Sequence, residues 1–187
     1  VPGAFMSLIG IELLRQIVVG KGVKAPADVL NELNNSFDVI FGPEHDIALR
    51  DGMDLSLCVF DTRGKALEFA GAFNPVYIIS DNEIIEIKGD RITVGPSGGF
   101  PQPAFNNHRM PLEKEDLIYL FSDGYADQFG GPEGKKFKYR RFRHLLLSLH
   151  KHSMERQHEG LGERIAEWKG DQEQVDDILV IGVKPPW

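Results

Sequence analysis

Apolar residues recur at helical spacing through the N-terminal part of the chain. Phe5, Leu8, Ile9, Leu13 and Ile17, joined by Val18, form a broad stripe that predicts a helix over residues 4–19. Pro2 and Gly3 stand where a helix begins, and Gly20, Lys21 and Gly22 stop it. Val29, Leu30, Leu33, Phe37 and Ile40 predict a second helix over residues 26–41, with Pro26 in its first turn and Gly42 and Pro43 at its end. From Met53 the period changes to two. Met53, Leu55, Leu57 and Val59 alternate with Asp54, Ser56, Cys58 and Phe60, which predicts a strand. Further strands follow over residues 65–71, 76–80 and 83–88, separated by a turn at 61–64 and a tight turn at Asp81 and Asn82. Spacing this regular predicts an antiparallel meander.

Residues 94–107 are rich in Gly and Pro and predict a surface loop. Residues 117–121 read as a fully apolar strand, and 122–136 as a Gly-rich loop. Residues 138–150 and 156–168 read as helices, and 178–183 as a closing strand. The tail of Lys184, Pro185, Pro186 and Trp187 cannot continue a ladder. Helices and strands come in separate runs, so the fold class is α+β, not an alternating α/β order. The length of 187 residues suits one domain, 1–187.

Composition narrows the choice of function. Lys and Arg number 21 and Asp and Glu 28, for a formal charge of -7. That balance speaks against nucleic-acid binding, which is driven by cations that neutralise phosphates. One cysteine, Cys58, excludes an internal disulfide framework and a thiolate zinc site. It reads as a small core or face residue. No apolar run approaches the roughly 20 residues of a membrane span, and no basic start with a cleavage site is present. The opening Val1, Pro2, Gly3 suggests a piece of a longer protein.

Two segments carry candidate chemistry. In Leu120-Phe121-Ser122-Asp123-Gly124-Tyr125-Ala126-Asp127 a buried strand ends in an Asp followed by Gly. The strand fixes the carboxylate at a rigid edge, and Asp127 follows close enough to share a hard cation with Asp123. The same pattern is also that of an Asp capping a turn or helix. In Gln174-Val175-Asp176-Asp177-Ile178-Leu179-Val180-Ile181 two adjacent carboxylates precede another apolar strand. Like charges there repel unless a cation or donor compensates them, although a polar lead-in to a strand looks similar. Oxygen-only ligands suit Mg²⁺ or Mn²⁺. Two such ions lower the pKa of a bridging water and clamp a phosphoryl group.

Other features carry less. Asp51, Gly52, Met53 and Asp54 read as turn chemistry before a strand. Residues 130–136 lack the spacing and the Ser or Thr of a phosphate loop, and suit a basic loop near a site. His144, His150, His152 and His158 lie on amphipathic helices without the partners of a zinc site.

The two acidic segments, in this order, resemble the metal motifs of SpoIIE-type Ser/Thr protein phosphatases, in the type 2C or PPM superfamily. Residues 117–131 are similar to the second metal motif and 175–183 to the last. Residues 70–79 resemble the strand–turn–strand segment, with Phe73 where His or Asn is common. Residues 1–10 resemble the helix that follows the first metal motif, whose bridging Asp is not in this sequence. The resemblance implies a β-sandwich of antiparallel sheets flanked by helices. It implies two Mn²⁺ or Mg²⁺ ions held by Asp123 and Asp176, with Asp177 the ligand if the register shifts by one. Asp127 matches a residue that helps hold a weaker third ion. The implied reaction is hydrolysis of phosphoserine or phosphothreonine by a metal-activated water, with no protein nucleophile. The implied substrate is a phosphorylated STAS-type anti-anti-sigma protein of a bacterial signalling pathway. An upstream sensor or repeat module, a cytoplasmic location, free or as the cytoplasmic output domain of a membrane-tethered parent, and a homodimer through uncovered sheet edges complete the expectation. Without the first motif the chain alone is expected to be weak or inactive. The alternative is a catalytically inactive regulatory or protein-binding domain on the same fold.

Overall fold

The computed structural model describes residues 2–41 and 52–187. The chain forms two compact units, Val1–Pro75 with Lys88–Leu112, and Val76–Ile87 with Glu113–Trp187. The predicted features at Gly42, Pro43 and Asp51 lie outside the described residues.

In the first unit, α1 (Pro2–Arg15) continues into a π-helical turn, Gln16–Gly20, and α2 (Pro26–Phe41) follows. Strands β1 (Leu55–Asp61), β2 (Ala66–Ala72) and β5 (His108–Pro111) make an antiparallel sheet in the order β1-β2-β5. The predicted stripe of α2 is the buried one. Val29, Leu30, Leu33 and Phe37 are sealed from solvent and share a core with Met6, Ile17, Ala70 and Ala72. Each such large side chain contributes roughly 1.5–3 kcal/mol on burial. The outer side of α1 remains apolar and open, with Phe5 52%, Leu8 69% and Ile11 66% exposed. Gly3–Gly20 is long and apolar enough, by length and composition, to cross a membrane. This corrects the expectation that no apolar run approaches the length of a membrane span.

In the second unit, β3 (Val76–Ser80), β4 (Glu83–Ile87), β6 (Leu117–Phe121) and β9 (Val180–Val183) form an antiparallel sheet in the order β4-β3-β6-β9. The central place of β6 explains its unbroken apolar run. Between β6 and β9 the chain makes α3 (Gly124–Asp127), the short strands β7 (Phe129–Gly130) and β8 (Lys135–Lys136), α4 (Lys138–Leu149) and α5 (Met154–Lys169). The core is aromatic. Phe121 lies 4.6 Å from Tyr77 and 5.1 Å from Phe142, and Tyr125 lies 4.7 Å from Phe142, between ring centroids. The buried phenols find acceptors, as buried tyrosines must. The Tyr119 hydroxyl donates to Gln157 Oε1, and that of Tyr125 to Leu161 O at 2.8 Å.

The helices and most strands fall where the periodicity predicts them, and the α+β class holds. Three details differ. The predicted meander is two hairpins, β1–β2 and β3–β4, in different sheets. The reason lies at their junction, where Phe73 takes a left-handed backbone (φ 56°) and Pro75 has no N–H to give a ladder. The loop over 122–136 holds α3 and the β7–β8 hairpin, both too short to show a period. Strand β5 is not predicted, because its four residues at a sheet edge, His108–Pro111, are too few and too polar to show an apolar alternation.

Cys58, in β1 opposite Phe69, has its thiol pushed up to about 12 by burial. Burial also raises Tyr77 and Tyr119 to about 12. These groups stay protonated in the folded chain after the unfolded chain has begun to release their protons. Their contribution to stability is therefore whole below about pH 9 and lost as pH rises toward 12. Urea melts across that range should show falling stability, and Cys58 should alkylate slowly at pH 8, since the thiolate is the nucleophile.

Candidate functional site

Ser122 joins the two acidic segments. Its N–H donates to Leu179 O at 3.0 Å, extending the β6–β9 ladder by one rung past the Phe121–Val180 pair. Its hydroxyl donates to Asp177 O at 2.7 Å and accepts from Leu179 N at 2.9 Å. Gly124 then packs closely on the Asp177 carbonyl. A Cβ at that position would stand 2.4 Å from Asp177 O and 2.9 Å from its carbonyl carbon. Asp123 is thus fixed next to the Asp176–Asp177 pair at one end of the sheet, from segments far apart in sequence.

Asp123 occupies the N-cap position of α3, yet its side chain makes no capping hydrogen bond. The capping explanation for this residue therefore fails, and its carboxylate is turned to solvent. Asp176 and Asp177 are exposed too, and line an open depression with Gln174 and Val175. Asp176 Oδ1 accepts the Asp177 N–H at 2.7 Å, and Gln174 Nε2 donates to Asp176 O at 2.8 Å. No ion pair engages Asp123, Asp176 or Asp177 among the described residues. Asp127 differs. Its Oδ2 accepts from Lys136 Nζ, on β8, at 2.6 Å, and Lys136 would have to leave before Asp127 could ligate a cation.

The donor set is all oxygen and without counter-charge, which is the chemistry of a hard divalent ion. It is also incomplete. No three His, Cys, Asp or Glu side chains converge to hold a metal among the described residues.

Sequence reasoning missed the supports. Gln128 is fully buried and donates to Glu173 O at 2.9 Å, tying the segment after α3 to the one before Asp176. Ser122 was legible only as part of the motif around Asp123. The Lys136 pair was hidden because β7 and β8 were. Because both partners of that pair are partly exposed, Lys136→Ala should change stability by under about 0.5 kcal/mol. A urea melt checks this.

The family model described as Stage II sporulation protein E (SpoIIE) matches residues 1–186. The chain belongs to the SpoIIE family. Among solved structures it is similar to the SiaA-PP2C domain of Pseudomonas aeruginosa, with 31% identity and a TM-score of 0.86, over 98% of this chain and 70% of that one. Two structures of SpoIIE from Bacillus subtilis share the fold. One, the PP2C phosphatase domain with a fragment of the regulatory domain, aligns with a TM-score of 0.72 at 15% identity, over 96% of this chain and 49% of that one. The other, a phosphatase domain presoaked with Mn, aligns with a TM-score of 0.58 at 16% identity, over 93% and 70%. A search of curated proteins gave no significant match. The SpoIIE family chain is thus a PP2C-type phosphatase domain with the α+β fold of that class.

Proposed function

We propose that this SpoIIE-family domain hydrolyses phosphoserine or phosphothreonine on a regulatory protein, with Mn²⁺ or Mg²⁺ held at the Asp123 and Asp176–Asp177 edge. The observation that carries the reading is the packing of Gly124 on the Asp177 carbonyl, which brings the backbones that bear Asp123, Asp176 and Asp177 together at one edge. Asp123 and Asp176 would hold the ions, with Asp177 beside them. When bound, the ions supply charge neutralisation at the phosphoryl group and water of lowered pKa. Ser122 and Gly124 do the positioning, since they fix the backbone on which both carboxylates ride. Asp127 would join a weaker third ion only after releasing Lys136.

The described residues bring an incomplete donor set to this edge, so a working site needs a further donor from outside them. A STAS-type anti-anti-sigma protein as substrate, an upstream sensor, a cytoplasmic location and a homodimer belong to the same proposal and rest on the family resemblance. The incomplete set also favours a second reading, a catalytically silent protein-binding domain. Release of phosphate from a phosphoserine peptide with Mn²⁺, by this chain and by one extended upstream, separates them. Activity in the extended protein alone supports the phosphatase with a donor from upstream. Activity in neither supports the binding domain.

A further inference from the structure

We propose that the groove between α4 and α5 is a docking site for an acidic peptide segment. That the segment belongs to the phosphoprotein substrate rests on the phosphatase reading above; the binding chemistry does not.

The groove is a cavity of about 660 Å³, within the size range of ligand pockets. Lys138, Arg140, Arg141, His144 and Arg164 line it, and no carboxylate does. This concentration of positive charge runs against the composition of a chain whose net charge is -7. Of the acids of α5, Glu159 and Glu163 take Arg156, which does not line the groove, while Glu167 takes Arg164 at 2.7 Å and offsets that one charge. Lys138 and Arg140 make no ion pair among the described residues, and Arg141 donates to Phe137 O at 3.1 Å, so the groove keeps a net positive charge.

The opposite wall is apolar. The Phe137 and Trp168 rings meet edge to face at 5.3 Å, and the Arg141 guanidinium sits 4.8 Å over the Trp168 ring. A cationic rim on an aromatic floor suits a segment with carboxylates around an apolar anchor. The concave shape favours a peptide over a flat anionic membrane, and the apolar floor favours a segment with an apolar anchor over a phosphate backbone.

Backbone strain marks the same place. Lys138 holds a left-handed conformation, φ 72°, at the entry to α4, where glycine would rest without strain. Strain of this kind collects where a side chain is kept for a ligand. The groove is also tied to the acidic edge within this unit. Trp168 Nε1 and Phe137 N both donate to Gln128 O, at 3.1 and 2.9 Å, one residue beyond Asp127.

The test is fluorescence anisotropy of a labelled glutamate peptide carrying one leucine, titrated with the metal-free chain. Because no turnover is read, a chain that hydrolyses nothing can still pass, and an active one can fail. Lys138→Gly and Arg140→Glu are each expected to weaken binding by about tenfold, the factor one lost charged contact represents, while Arg63→Glu on the other unit leaves it within about twofold. Lys138→Gly should raise the melting temperature while it weakens binding, so the loss cannot be ascribed to misfolding. Wild-type affinity in Lys138→Gly and Arg140→Glu would overturn the proposal. So would tighter binding, through the same residues, of an oligonucleotide or of phosphatidylserine vesicles.

Discussion

Asp123→Asn is expected to cut phosphatase turnover of the upstream-extended protein by about a thousandfold or more, the scale of losing a group that stabilises the transition-state charge. Melting temperature should not fall. Asp123 makes no capping bond to α3 and no ion pair among the described residues, so the fold does not depend on its charge. It sits beside Asp176 and Asp177, and removing one of several neighbouring negative charges relieves repulsion. An ordinary structural Asp would behave in the opposite way, losing stability of about 1 kcal/mol with its cap. Steady-state kinetics on a phosphoserine peptide, with a thermal melt of the same sample, reads both. A stable variant with near wild-type turnover would show that this carboxylate is a bystander.

Gly124→Ala carries the second large effect. Two terms oppose each other. Alanine is favoured over glycine within a helix by about 1 kcal/mol, which would stabilise α3. Against it, the new methyl would stand 2.4 Å from Asp177 O, a backbone atom with no rotamer to yield. Either α3 or the 176–179 segment must move, and overpacking of this kind costs typically 1–3 kcal/mol. The clash also pries apart the contact that sets Asp123 next to Asp176 and Asp177. A net loss of about 2 kcal/mol in a urea melt is expected from these terms. Activity should fall further than the folded fraction does. A stabilised, fully active variant would mean that the close packing of Gly124 does not position the site.

Much of this was readable from the chain. The stripe of α2, the apolar run of β6 and the long helices α4 and α5 declare themselves because each has enough residues to show a period; the stripe expected on α1 is only half right, since Leu13 and Ile17 are buried while Phe5, Leu8 and Val18 stand exposed. The pairing of acidic segments was readable because each Asp borders an apolar strand. What escaped was nonlocal or short. The sheet change between β2 and β3 depends on a left-handed Phe73, which no hydropathy pattern marks. The tie of Asp127 to Lys136 depends on a hairpin of two-residue strands. The sealing of Gly124 on Asp177 is a close approach of backbones, and glycine in a sequence does not say what approaches it. The cationic groove escaped as well, because only the packing of α4 and α5 gathers its basic residues on one face.

Mn²⁺ binding tests the central claim most directly. Electron paramagnetic resonance of the free ion would be read for the upstream-extended protein and for its Asp123→Asn and Asp176→Asn variants. A drop in affinity of about tenfold or more in each variant is the predicted result, since each removes a charged ligand. Wild-type Mn²⁺ affinity in both would contradict the assignment of these carboxylates to a metal site.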